Sequence, residues 1–177
     1  MDKVEKRYMF DTNAINKICQ NPNDEITIYK SKINGYEYYF TEIQCQESCA
    51  NIIKKSEGLD SCLVERQRAE YALNLLRVIP KLQTCYVGQI ATLRLNRWGS
   101  DGTFDILQDN ESEAAAMFSD ILNDNDRQYY NDSMIALTAI VNGCTLVTND
   151  KRLFNKVNNH FIERAIKYEN FIEIISE

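Results

Sequence analysis

The chain has no long hydrophobic run: its longest unbroken apolar stretch covers only residues 114–118. A membrane-crossing helix needs about 20 such residues, so none is expected. Cysteine is present but unpatterned. None of the 6 cysteines forms a C-x-x-C pair, and His160 is the single histidine. Cys45 and Cys49 stand one helical turn apart, yet the ligand spacings of a zinc site are missing. Reduced, buried thiols are the reading that remains. No G-x-G-x-x-G or Walker loop occurs, which removes the usual nucleotide-binding classes. Repeats, linkers and low-complexity segments are absent as well, and 177 residues suit a single domain over 1–177. Met1-Asp2-Lys3-Val4-Glu5-Lys6-Arg7 is charged and leads straight into a strand, unlike a signal peptide, so a cytoplasmic protein is expected. Positive charge is in short supply: 20 Lys and Arg against 26 Asp and Glu give a net charge of −6. That excludes general charge-driven binding of nucleic acid. An enzyme that meets a polyanion through bound cations is still allowed, because cations reverse the local sign.

What the sequence does have is a regular alternation of strand and helix signals. Residues 8–10 read as the end of a first strand. Residues 12–20 carry Ala14, Ile15 and Ile18 at helical spacing, and Asn21-Pro22-Asn23 ends that helix. Asp24 can cap a second short helix that stops at Asn34-Gly35. Residues 36–40 are aromatic and strand-like. Thr41 and Gln44 make a capping box, which announces a helix to about residue 56. Gly58 breaks it, Asp60 or Ser61 can cap the next helix, and Pro80 closes that one. Residues 84–87 read as a third strand.

Residues 88–108 admit two readings, a hairpin across Gly99-Ser100-Asp101-Gly102 or a helix followed by a loop. Asp109-Asn110 can cap a helix over 111–122, and residues 124–126 form a polar break. A helix over 128–142 closes on Asn142-Gly143. Residues 144–148 are a buried strand, 151–157 a short helix, and 165–175 contain a final strand. Such alternation predicts an α/β fold, with a mainly parallel sheet covered on both faces.

Four acids take their meaning from that order. Asp11 and Asp150 directly follow strands, whereas Glu47 and Asp132 lie near the starts of helices. In right-handed strand-helix-strand units the helices run antiparallel to the strands. Helix starts and strand carboxyl ends therefore share one edge of the sheet, where open α/β sheets bind ligands. Thr41, Gln44 and Glu47 are spaced by three and form one stripe on their helix. Taken singly, Asp11, Asp132 and Asp150 could be helix caps and Glu47 a solvated residue. Gathered together they would repel one another unless a cation or proton neutralised them. Oxygen ligands of this kind suit a hard cation such as Mg²⁺, and hence phosphate chemistry.

At these residues the chain resembles the PIN-domain nucleases, the family that includes toxin ribonucleases of bacterial toxin–antitoxin pairs. Phe10-Asp11-Thr12-Asn13 is similar to its opening strand-Asp-Thr-Asn element. Thr41-x-x-Gln44-x-x-Glu47 is similar to its Ser-x-x-Thr-x-x-Glu helix start, with Gln44 in place of the usual Thr and Glu42 as a competing acid. Asn131-Asp132-Ser133-Met134-Ile135-Ala136 with Ala139, and Gly143-Cys144-Thr145-Leu146-Val147-Thr148-Asn149-Asp150, resemble its last two elements. The resemblance spans 8–154 and leaves 88–108 without a counterpart, as an insertion would be.

The resemblance implies a three-layer α/β/α fold and divalent-metal-dependent phosphodiester cleavage, usually of RNA. It implies that Asp11, Glu47, Asp132 and Asp150 hold one or two Mg²⁺ or Mn²⁺ ions, which act on the scissile phosphate, the attacking water and the leaving oxygen. Asn13 and Thr148 would support the carboxylates. It also suggests an antitoxin partner and a homodimer. Arg94, Arg97, Trp98, Lys151 and Arg152 are candidates for substrate contact, since guanidinium, ammonium and indole bind phosphate and unpaired bases. As surface residues they could equally be solvated. Two rivals stand beside this reading. One is a PIN-like RNA- or protein-binding module without catalysis. The other is a phosphatase with an aspartate nucleophile at Asp11, although that chemistry wants a second acid where Asn13 stands.

Overall fold

The computed structural model describes residues 6–55, 70, 83–85, 111–122 and 129–177. The expected cap at Asp60 or Ser61, the closing Pro80, the cap at Asp109-Asn110, the polar break at 124–126 and both readings of 88–108 lie outside these residues. In chain order, β1 (Arg7–Phe10) is followed by α1 (Thr12–Gln20), α2 (Pro22–Ser31) and a 3₁₀ turn (Lys32–Asn34). β2 (Glu37–Thr41) runs directly into α3 (Glu42–Lys55), and β3 is Gln83–Cys85. Then come α4 (Glu111–Leu122), α5 (Tyr129–Val141), β4 (Thr145–Val147), α6 (Lys151–His160), β5 (Ala165–Ile166) and α7 (Tyr168–Ser176).

The strands lie in the order β3-β2-β1-β4-β5, and every described pair is parallel. The chain winds outward from β1 through β2 to β3, then returns to lay β4 against the other side of β1. The carboxyl ends of β1 and β4 therefore flank the topological switch point, the usual ligand crevice of such a sheet. Alternation along the strands builds two cores. Phe10, Tyr38, Phe40 and Val147 face α1, α2 and α7, joined by Ile15, Ile18, Ile28 and Phe171. Met9 and Leu146 face the other way, against Met117, Ile121, Ile135, Ala139, Leu153 and Val157 of α4, α5 and α6. With helices on both faces, this is the three-layer α/β/α sheet expected.

Several local signals resolve differently from the sequence expectation. Asn21-Pro22-Asn23 does not merely end α1; it starts α2. Asn21 is the cap, its Oδ1 accepting from the Asn23 amide at 3.2 Å, and Pro22 fills the first helical position, where no amide is needed. Asp24 accepts instead from the Tyr168 hydroxyl at 2.8 Å. β3 begins at Gln83, one residue earlier than expected. α6 continues one turn beyond 157.

The final strand is only Ala165–Ile166, and α7 takes the rest of 165–175. Tyr168, Phe171 and Ile175 are spaced by three and four and are all buried, a helical period hidden among β-branched residues. The end of α5 follows its signal. Gly143 adopts φ 66°, its amide donates to the Ile140 carbonyl at 3.0 Å, and the Cys144 amide reaches the Ala139 carbonyl at 2.8 Å. This Schellman closure turns the chain straight into β4.

Candidate active site

Asp11 is the first residue after β1 and is 3% exposed. It stands at the N-cap of α1, yet its carboxylate makes no cap bond. The Thr148 hydroxyl, arriving from the end of β4, donates to Asp11 Oδ2 at 2.7 Å. The same hydroxyl accepts from the Asp150 amide at 3.0 Å. Thr148 thus ties the loops after the two switch-point strands together. Asp150 caps α6, its Oδ1 accepting from the Leu153 amide at 2.9 Å. Its capping role and its nearness to Asp11 coexist.

Glu47 is placed by Gln44, one turn earlier on α3. Gln44 is fully buried; its Oε1 accepts from the Thr41 amide at 2.8 Å and from the Thr41 hydroxyl. The Thr41 hydroxyl in turn accepts from the Ile43 amide at 3.2 Å, so the capping box forms. Gln44 Nε2 donates to the Phe10 carbonyl at 2.8 Å, which fastens the start of α3 to the end of β1. The glutamine standing where the family has threonine is long enough to do both. One turn on, Glu47 receives the Thr12 hydroxyl on Oε2 and the Asn131 amide on Oε1, the latter at 2.8 Å.

Asp132, in the first turn of α5, accepts from Arg152 of α6 at 2.8 Å. Asp11 feels Glu47 and Asp150, and Asp132 feels all three of the other acids. Burial, and then the charges of Glu47 and Asp150, push the Asp11 carboxyl up to about 6, against the Thr148 hydrogen bond. Burial pushes Asp132 up to about 7; Asp11, Asp150 and Glu47 add to this and Arg152 opposes it. Glu47 acts on both Asp11 and Asp132.

The donors are carboxylate oxygens alone, buried or half-buried, and burial followed by repulsion from the neighbouring acids raises Asp11 and Asp132, which suits a hard divalent cation. Among the described residues, however, no three His, Cys, Asp or Glu are grouped closely enough to hold an ion as they stand. Asp132 has Arg152 as its counterion.

The other candidates are distributed as follows. Asn13 is exposed in the first turn of α1 and, among the described residues, has no hydrogen bond to any of the four acids. Lys151 is exposed at the start of α6. Arg152 faces Asp132 rather than solvent, and its guanidinium lies 3.5 Å from the centroid of the Tyr129 ring. Arg94, Arg97 and Trp98 lie outside the described residues. Sequence reasoning gave no role to Thr12, Asn131 or Tyr129. Thr12 and Asn131 carried a signal, a short polar side chain directly beside an acid; Tyr129 carried none.

A doubly wound parallel sheet with acids from four elements at its switch point defines a class: an α/β protein with an acidic site at the strand carboxyl ends. The PIN domain family matches residues 8–159, and the chain belongs to this family of nucleases. No curated protein matches. Among solved structures, the chain is similar to VapBC2 from Rickettsia felis bound to a DNA fragment from their promoter. The likeness has a TM-score of 0.50 and 16% identity, over 91% of this chain and 98% of that one. It is a likeness of fold.

Proposed function

We propose that the protein is a divalent-metal-dependent endoribonuclease of the toxin or RNA-processing type. The observation that carries this is the setting of two of the acids: burial raises Asp11 and Asp132, Glu47 and Asp150 raise Asp11 further, and Asp11, Asp150 and Glu47 raise Asp132 further. Asp11, Glu47, Asp132 and Asp150 are the ligands in this reading, for Mg²⁺ or Mn²⁺. The bound ion would supply Lewis acidity toward a phosphodiester and its attacking water. The chain's own residues do the positioning. Thr148 orients Asp11, Thr12 and Asn131 hold both oxygens of Glu47, and Gln44 fixes α3 against β1.

Lys151, exposed beside Asp150, is a candidate for the RNA backbone. Arg94, Arg97 and Trp98 belong to a proposed insertion over 88–108 that would line the substrate path of this single domain. An antitoxin partner and a homodimer, which rest on family resemblance, and a cytoplasmic setting complete the reading.

Cleavage of single-stranded RNA in Mg²⁺ or Mn²⁺, with and without EDTA, tests it. Asp11→Asn should keep the fold and lose cleavage by about 100-fold or more, as loss of a principal electrostatic group does. Parental activity in that variant, or in EDTA, would sink the assignment. A non-catalytic binding module is the second reading, favoured by the neutralisation of Asp132 by Arg152. RNA binding without cleavage in either metal would select it.

A further inference from the structure

Arg152 is unusually well held for a residue on the first turn of a helix. Its side chain is 24% exposed and that of Asp132 21%. Two other helices converge on it. From α5 come the Asp132 carboxylate and the Tyr129 ring, three residues apart and so on one face of that helix. The end of α4 contributes the Ile121 carbonyl, which accepts from Arg152 at 3.4 Å. A helix carboxyl end favours a cation, and a planar guanidinium can stack on an aromatic face while still donating in its plane. Arg152 also follows Asp150 by two residues, so α6 carries an anion and a cation of the same site. A solvated surface arginine would show none of these contacts.

We infer that Arg152 is a built-in counter-cation of the acidic site, one that competes with the divalent ion for Asp132. The inference rests on the metal-binding reading above. In metal-free protein the guanidinium neutralises Asp132. A divalent cation that takes Asp132 as a ligand must displace a partly buried, charge-assisted hydrogen bond, and the guanidinium beside it opposes its approach. Arg152 is thus a positioning residue. It keeps the acids compatible when metal is scarce, and it raises the metal concentration at which the site fills. The opposite possibility is a clamp that holds one Asp132 oxygen while the other ligates. The two differ in sign, because removing a clamp weakens metal binding and removing a competitor strengthens it.

The test uses full-length parent, Arg152→Gln and Arg152→Lys, with Mn²⁺ alone as the probe. Affinity is read by calorimetry, and Tm is read in EDTA and in saturating Mn²⁺. Arg152→Gln should bind Mn²⁺ about tenfold more tightly, the size of one hydrogen bond to a charged group. It should melt several degrees below the parent in EDTA, and that gap should shrink or close in saturating Mn²⁺. Arg152→Lys keeps the charge and should return affinity toward the parental value. Weaker or unchanged Mn²⁺ affinity in Arg152→Gln, or an equal Tm loss in EDTA and Mn²⁺, overturns the inference and makes Arg152 a clamp or a purely structural residue. If the parent itself neither binds Mn²⁺ nor gains Tm from it, the metal-binding reading fails, and the inference falls with it.

Discussion

Asp11 and Asp132 differ from ordinary surface acids because their protonated forms are favoured in the folded chain. Folded values of about 6 and about 7 stand above the ordinary aspartate value of 3.8. A carboxyl raised in this way contributes stability below its unfolded value and loses it as pH rises through the folded value. Metal-free protein should therefore melt at a lower temperature at pH 8 than at pH 5. The two coupled groups together should contribute about 2 kcal/mol of that loss, discounted for solvent at Asp132. Glu37 and Glu169, whose carboxyls are lowered by hydrogen bonds and ion pairs, act with the opposite sign but below this window. Saturating Mn²⁺ should flatten or reverse the trend, since the ion competes with protons for the same oxygens. Scanning calorimetry across that pH range in EDTA checks it, and a flat or rising Tm would mean the carboxyls do not interact as described. At this scale the four candidate acids could be picked out, because each sits at or near a strand or helix boundary. Their partners were less so: Thr12 and Asn131 serve Glu47 across 35 and 84 residues of chain, a distance no local pattern spans.

Among the elements, α3 carries both candidate glutamates, and the proposed function takes Glu47 rather than Glu42. Gln44 is pinned to the end of β1, and Glu47 follows it by three residues on the same stripe. Glu42 lies in the first turn, where the helix dipole accounts for an acid. Glu47→Gln should cost cleavage about 10- to 100-fold, whereas Glu42→Gln should stay within a few-fold of the parent. Initial rates on one RNA in Mg²⁺ compare them directly. The reverse ranking would place the wrong face of α3 toward the acids.

The Thr41–Gln44 box made this helix readable, because capping is written within four residues. α7 was not readable in the same way. Phe171, Ile172, Ile174 and Ile175 look like a strand until Tyr168, Phe171 and Ile175 are seen against the aromatic core of Phe10 and Tyr38. Tertiary burial, not propensity, decides that segment. The start of α2 is ambiguous in sequence for a related reason: Pro22 can end one helix or open the next, and the Asn21 side chain settles which.

For the whole molecule the question is how a chain of net charge −6 would meet RNA. Several of its described cations are already engaged with acids: Arg7 with Glu37, Lys17 with Glu169, Lys156 with Asp120 and Arg152 with Asp132. Bulk attraction is therefore absent, and binding in the proposed function falls to the metal ion and a few local cations. Lys151 is one candidate, and Arg94 and Arg97 of the 88–108 segment are further candidates. The sequence alone was enough to raise this question, because net charge and the place of each acid need no coordinates. It could not show that Arg152 is spent internally, which removes one cation from the substrate path. Replacing Arg94 and Arg97 together by Gln should weaken RNA binding and lower the slope of log affinity against log salt by about one to two, since each lost phosphate contact lowers it by about one. Binding is best measured in Ca²⁺, which supplies the charge with little turnover. Arg152→Gln in the same series should leave the slope near the parental value, because its guanidinium faces Asp132. An unchanged slope in the double variant would move the RNA path away from residues 88–108 and leave that segment to a protein partner.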